Sequence, residues 1–261
     1  MERNKKIRET LAFALGVLLV GVLIQAAGWL KGDRLVFPGA GEILRAFFRL
    51  LGTAGTWRQI GTTLVHLAEA VLCAAVAGTA LGLLQGRSAF FRTLLKPLMT
   101  LLRSVPMIVM TVIVMVLLKY DSVPLVASAL MLTPLISEAT CEGFQRIEPE
   151  LVDVYRMNSG FTPRVLFRVY LPLMAGYLKQ AYVNAVGMGI KLAVTTEYLV
   201  QARDSLGKAV YSSAYFNEYA EIYAYALIMV LLAVLVSALP AAAGKILEKA
   251  SARKQGQAAG V

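Results

Sequence analysis

Histidine and cysteine are nearly missing from this chain: among 261 residues there are one His and two Cys. The two cysteines, Cys73 and Cys141, fall in or at the end of apolar runs and have no metal-ligand spacing to each other, so no disulfide framework is implied. His66, Glu69 and Cys73 share a helical face at i, i+3 and i+7, but with no second His this is no metal motif, and no metal site is expected. Charge is scarce as well, at 16% of residues against roughly 25% in soluble domains. A phosphate-cradling loop is also absent. The Gly-Lys pairs, Gly207-Lys208 and Gly244-Lys245, lack both the first glycine at proper spacing and the following Ser or Thr. No RNP, zinc-finger or basic-zipper pattern accompanies the net charge of +10, so nucleic acid is not an expected partner. What fills the chain is apolar: 58% hydrophobic residues and a mean hydropathy of +0.65.

Apolar runs of about 20 residues recur, the length that crosses a hydrocarbon core of about 30 Å. They predict an all-α membrane protein with six spans: Leu11–Leu30, Ile60–Leu84, Leu98–Leu118, Val123–Cys141, Leu173–Leu199 and Tyr219–Ala243. The first follows a basic start but is too long for a signal-peptide core, so it reads as a span. Both ends then lie on one side. Of the 26 Lys and Arg, fifteen fall on that side, eight on the other and three (Arg103, Lys179, Lys191) within spans, which puts both termini in the cytoplasm. The expected divisions are 1–58 (first span plus an outer amphipathic segment), 59–243 (a five-helix core with an inner loop at 144–172) and a basic tail, 244–261. In the outer segment Ile43, Leu44, Phe47, Phe48 and Leu51 recur at helical spacing opposite Glu42, Arg45 and Arg49, predicting a helix at the outer membrane surface. Pro106 and Pro134 fall inside the third and fourth spans and predict kinks.

One segment is polar where its surroundings are oily: "IEPELVDVYRMNSGFTPRVLFRVYLP", Ile147–Pro172. Pro149 suits a first helical turn, and Leu151, Val154 and Tyr155 then share a face away from Glu150, Asp153 and Arg156. Ser159-Gly160 ends that helix, and Thr162-Pro163 starts another. Val165, Leu166, Val169 and Tyr170 give the second an apolar face, with Arg164 and Arg168 outside. On physics alone the segment reads equally as a loop on the membrane surface or as a knob that fits a partner's groove.

With its flanks, the segment resembles the cytoplasmic coupling loop of permease subunits in ATP-binding-cassette (ABC) importers. That family shows an acid and a small residue, then a glycine, then an apolar-basic helix ending in Leu-Pro. Asp153, Ser159-Gly160 and Leu171-Pro172 occupy those places here, while Tyr155 stands where the motif has Ala and Ser159 where it has Gly. The preceding "TPLISEATCEGFQRIEPELVDVYR" and the later "TTEYLVQARDSLGKAV", with Glu197 before Leu206-Gly207, resemble the nitrate/sulfonate/taurine-type branch. The likeness covers roughly Gln59–Pro240, but the third span lacks the second proline and the Phe-Gly pair usual there.

The resemblance implies a type I importer permease fold with cytoplasmic coupling helices, in a bacterial inner membrane. It implies two ABC ATPase subunits as partners, a second permease copy (identical or a sister chain), surrounding lipid, and a periplasmic or lipid-anchored substrate-binding protein. ATP-Mg would then sit on the ATPase and no cofactor on this chain, which would be no enzyme. Glu150, Asp153, Tyr155, Arg156, Ser159, Gly160, Arg164, Arg168, Leu171 and Pro172 are the expected ATPase-coupling residues. The implied cargo is a small organic anion such as a sulfonate or taurine, or nitrate. The alternative is a vitamin precursor of hydroxymethylpyrimidine, thiamine or riboflavin type.

Charges inside spans cost about 2.5–3.5 kcal/mol each at mid-bilayer and need a reason. Asn184, Met188, Lys191, Thr195 and Tyr198 share one face of the fifth span at spacings of 4, 3, 4 and 3, and this face is expected to line the translocation path, with Lys191 attracting an anion. The other reading of Lys191 is a side chain that snorkels to the interface. Glu69, Glu197 and Arg103, beside the kink at Pro106, are expected on the same path; Glu69 reads equally as an ion-pair partner of His66 or of a basic residue on a neighbouring helix. Two rivals stand beside this reading. One is an ion-driven secondary transporter with Glu69, Glu197 and Lys191 as coupling charges, which predicts inverted repeats that the sequence does not show. The other is an intramembrane enzyme on His66, Glu69 and Cys73.

Overall fold

A computed structural model of the chain describes residues 38–147 and 162–237. The expected span Leu11–Leu30 and the tail 244–261 lie outside them. Every regular element among the described residues is helical. The order is α1 (Ala40–Leu51), α2 (Ala54–Arg87), α3 (Ala89–Ser104), α4 (Met107–Leu117), α5 (Val123–Gln145), α6, α7 (Ala175–Val200), α8 (Leu206–Tyr215) and α9 (Tyr219–Ser237). Helix α6 joins a turn at Pro163–Val165, a wider π segment at Leu166–Tyr170 and a turn at Leu171–Leu173.

Three described helices are long and apolar enough to cross a membrane: α2, α5 with its preceding turn from Tyr120, and α9. They contain the expected spans Ile60–Leu84 and Val123–Cys141 and the described part of Tyr219–Ala243, whereas the expected span Leu173–Leu199 falls on α7, which has the length at 26 residues but is too polar to count with them. The expected span Leu98–Leu118 is not one rod. It is the pair α3 and α4, bent by 105°. The residue before a proline is driven out of helical backbone, and Val105 is accordingly extended, at φ −69°, ψ 126°, while Pro106 starts α4. Pro134, by contrast, sits inside a continuous α5.

The centre of the bundle is the seam between α2 and α5, and glycine makes it possible. Gly78, Gly82 and Gly86 recur every fourth residue along α2. A Cβ at Gly82 would lie 2.5 Å from the Ser137 carbonyl oxygen, and one at Gly86 2.6 Å from Phe144 Cβ. Small residues at such spacing let helix backbones approach in a membrane, where water supplies no hydrophobic drive between helices. Helix α7 uses the same device: Ala181, Ala185, Gly189 and Ala193 are all buried, and Leu67 of α2 fills the space over Gly189. Hydrogen bonds across the seams, a buried one from Gln85 Nε2 to Ser137 Oγ at 2.7 Å and a half-buried one between Thr79 Oγ1 and Tyr182 Oη at 2.9 Å, satisfy polar groups that lipid cannot.

At the opposite end from α6, α1 packs Ala46 and Leu50 into a cluster with Ile60, Leu206, Tyr225 and Ile228. This helix is the expected outer amphipathic one, but it leans on the bundle through Ala46 and Leu50, while Leu44 and Phe48 stay exposed. Glu221 fastens the corner, accepting from Arg49 at 2.6 Å and from Ser213 at 3.1 Å. Its hydrogen bond and charge hold the neighbouring Glu218 carboxyl above the usual carboxylate range.

Candidate functional site

Helix α7 has two chemically different faces. The inward face is the small-residue ladder. Gln180, Asn184, Met188, Lys191 and Thr195 lie on the opposite side and are all exposed. Gln180 Nε2 donates to Asn184 Oδ1 at 3.1 Å, and Thr195 Oγ1 donates to the Lys191 carbonyl at 2.7 Å. The Lys191 ammonium has no hydrogen-bond or ion-pair partner among the described residues. Four of the expected path residues on this helix, Asn184, Met188, Lys191 and Thr195, therefore share one open stripe, while Tyr198 is half-buried with its ring 5.4 Å from that of Tyr211. Gln180 extends the stripe by a turn and escaped the sequence reading, although it sits four residues before Asn184.

Glu197 does not join that stripe. Six residues after Lys191, it points about 120° away around the helix and is completely buried. Thr63 Oγ1 donates to Oε2 at 2.8 Å, and the Gly207 N–H donates to the same oxygen at 3.2 Å. His66 Nδ1 stands 2.8 Å from Oε1. Thr63 Oγ1 also accepts the Leu206 N–H at 3.0 Å, and Ser205 Oγ accepts that of Lys208 at 3.2 Å. The first N–H groups of a helix have no partner within it; here three of them are capped by two side chains from other helices and by Ser205. Glu197 is the bolt that fixes the start of α8 to α2 and α7. Gly207 is needed there because a Cβ would lie 2.4 Å from the Tyr198 nitrogen and 2.6 Å from the Val194 carbonyl oxygen. His66 thus pairs with Glu197 and not with Glu69.

Beside this junction the loop from α7 to α8 borders a polar recess of about 460 Å³, lined in part by His66, Tyr120, Asp121, Gln201 and Arg203. Gln201 adopts left-handed backbone at φ 51°, and Asp204, at φ 53°, reaches Arg58 at 2.6 Å.

The remaining expected residues fall elsewhere. Glu69 and Cys73 are exposed on α2, turned away from the bundle. Arg103 pairs with Glu138 of α5 through both carboxylate oxygens, the longer contact being 3.3 Å, and Pro106 marks the 105° bend after it. No group of three or more His, Cys, Asp or Glu among the described residues could hold a metal.

At the far end, α6 docks by Tyr170, which stacks on Phe144 at 5.1 Å and packs with Met174 and Leu178. Val165 and Leu166 press into the same cluster, and Arg164, Phe167 and Arg168 project outward together. Leu171 is half-buried and Pro172 exposed. Glu150, Asp153, Tyr155, Arg156, Ser159 and Gly160 lie outside the described residues.

Residues 74–253 match the family model described as "binding-protein-dependent transport system inner membrane component". The chain is 30% identical to the nitrate import permease protein NrtB of Leptolyngbya laminosa over 161 residues, 60% of this chain but only 57% of that protein. It is 28% identical to the NrtB of a Synechocystis strain over 199 residues, 72% of this chain and 71% of that one. Among solved structures, an inward-facing MetNI methionine ABC transporter chain superposes with a TM-score of 0.57, covering 74% of this chain and 96% of that chain at 18% identity. At that identity the likeness establishes the fold.

Proposed function

Because this chain belongs to the family of binding-protein-dependent transport system inner membrane components, and is an ABC importer permease component, we propose that its α7 stripe lines the path for a small anion. The observation that carries this is the exposed row Gln180–Asn184–Met188–Lys191–Thr195 on a membrane-length helix. Facing lipid, Lys191 alone would cost about 2.5–3.5 kcal/mol. Facing a water-filled seam between two permease copies, it costs little and gives an anion a cationic stop. The likeness to nitrate import permeases supports an anionic cargo, nitrate or a small sulfonate such as taurine.

The energy comes from a separate ATPase. Arg164, Phe167 and Arg168, projecting from a helix anchored by Tyr170, form the described half of the knob that would fit the ATPase; Asp153 and Ser159-Gly160 belong to the other half. Two ATPase subunits, a second permease and a substrate-binding protein complete the machine. The excess of Lys and Arg supports placing α6 and both termini in the cytoplasm, with α8 and the polar recess outside.

Thiol accessibility tests the path. In a chain carrying Cys73→Ser and Cys141→Ser, single substitutions Asn184→Cys, Met188→Cys and Thr195→Cys are expected to react with a charged, water-borne reagent. Val186→Cys, beside α2, is expected not to react. Reactivity should shift between outer and inner reagent as the assembled ATPase binds ATP. Uniform protection of all three stripe positions would place them against lipid and end the path reading.

A further inference from the structure

Helix α2 presents a face that nothing among the described residues covers. Val65, Glu69, Leu72, Cys73, Val76 and Ala80 lie along it, all exposed, on the side away from the bundle. Glu69 is the sole carboxylate of α2, and it makes no hydrogen bond or ion pair among the described residues. Nine residues past Ile60, it lies about 13 Å inside the span Ile60–Leu84. A carboxyl at that depth is unfavourable against lipid and calls for a polar partner.

The chain itself carries a match. The expected span Leu11–Leu30 holds one amide or charged side chain, Gln25. On a helix Ala14, Leu18, Gly21, Gln25 and Gly28 share one face, at spacings of 4, 3, 4 and 3. Two consecutive spans joined at one end of a bundle run antiparallel. Setting Gln25 opposite Glu69 then sets Gly21 opposite Cys73, Leu18 opposite Val76 and Ala14 opposite Ala80. The same register lays Leu11–Leu30 beside residues 64–83, within the span of α2. One alignment thus matches the two spans in depth, brings their polar groups together and offers Gly21 as the gap for Leu72, as small residues do between membrane helices. We propose that the first span of the same chain packs on this face of α2, with the Gln25 amide donating to the Glu69 carboxyl. The connection is long enough. Helix α1 packs on Ile60, so Pro38 lies within one length of α1, about 18 Å, of the start of α2, and the stretch from Leu30 to Pro38 reaches about 28 Å when extended. This contact takes Glu69 out of the anion path and does not depend on the reading of the α7 stripe.

The test uses the whole transporter in its native membrane, with Cys141→Ser and Gly21→Cys, so that Cys73 is the only other thiol on the chain. After mild oxidation most of the chain is expected to lose both thiols to alkylation while keeping the mass of a single chain, since a disulfide needs Cα atoms about 4.4–6.8 Å apart. Leu23→Cys in its place, on the opposite face of the first span, should leave both thiols free. A covalent dimer would assign the face to a helix of a second copy, and free thiols in Gly21→Cys would assign it to lipid; either result overturns the proposal. The thermal midpoint of the purified transporter reads the polar pair without an added cysteine. Gln25→Leu is expected to lower it by about 2–4 °C, the shift of one interhelical hydrogen bond at this chain length. Adding Glu69→Leu should restore it, because removing both partners leaves no polar group unsatisfied. No loss in Gln25→Leu, or a further loss when Glu69→Leu is added, also overturns the pairing.

Discussion

Gly207→Ala is expected to cost about 4 kcal/mol or more, the range reserved for changes that structure cannot absorb. The new Cβ would lie 2.4 Å from the Tyr198 nitrogen, 2.5 Å from Glu197 Cβ and 2.6 Å from the Val194 carbonyl oxygen. Two of these are backbone atoms in the last turns of α7, so no rotamer change relieves the contact. The start of α8 would have to lift off α7. That would break the Gly207-to-Glu197 bond at 3.2 Å and pull Leu206 from Thr63. Glu197→Gln provides the graded companion. It keeps the volume but turns an acceptor into an amide in a site where Thr63, His66 and the Gly207 N–H converge. A loss of about 2–3 kcal/mol is expected, the size of a charged hydrogen bond that leaves donors unsatisfied. Thermal midpoints of the detergent-purified transporter should rank wild type first, Glu197→Gln next and Gly207→Ala lowest. A Gly207→Ala protein as stable as wild type would mean that α8 is not held as described.

Lys191→Met should leave assembly and stability nearly untouched and cut anion uptake by about 10-fold or more. The stability half follows from exposure, since the side chain has no partner among the described residues to lose. The transport half follows from electrostatics: a cation and an anion 4 Å apart gain about 4 kcal/mol near a protein surface at an effective dielectric of 20, more than the 1.4 kcal/mol per decade that tenfold needs. Lys191→Arg keeps the charge and should retain most of the uptake. Uptake by reconstituted vesicles under saturating ATP makes the measurement. Full activity in Lys191→Met would assign the lysine to the lipid interface, as a snorkelling side chain.

These two sites differ in how much of them could be read from residues alone. The α7 stripe was legible because it is local. Spacings of 4, 3, 4 and 3 put Asn184, Met188, Lys191, Thr195 and Tyr198 on one face whatever surrounds the helix, and that face is open from Asn184 to Thr195, while Tyr198 is half-buried. Glu197 lies on the same helix, and its role is set by Thr63 and His66, 134 and 131 residues away. No periodicity carries such information, so an acid that bolts a helix looked like an acid in a path. Pro106 shows an intermediate case. A kink follows from proline chemistry, but a turn of 105° depends on where α3 finds partners, and Arg103 finds Glu138 on α5. The glycines at 78, 82 and 86 were plain in the sequence at fourfold spacing and went unread; their meaning appears once Ser137 and Phe144 close over them. The outer helix was legible as amphipathic, yet the residues it buries deepest, Ala46 and Leu50, flank its aromatic pair.

The central claim is that this chain is a conduit powered by another subunit through the end that bears α6. The most direct measurement is to co-express it with its neighbouring genes, purify it, and ask whether an ATP-hydrolysing subunit accompanies it in near-equal amount and drives uptake. The same preparation is made with Arg164 and Arg168 both changed to Glu, and with Asp153→Ala. The account predicts that the ATPase co-purifies with wild type and is lost, or hydrolyses ATP without uptake, in the variants. A chain that purifies alone and still moves solute on an ion gradient would contradict it.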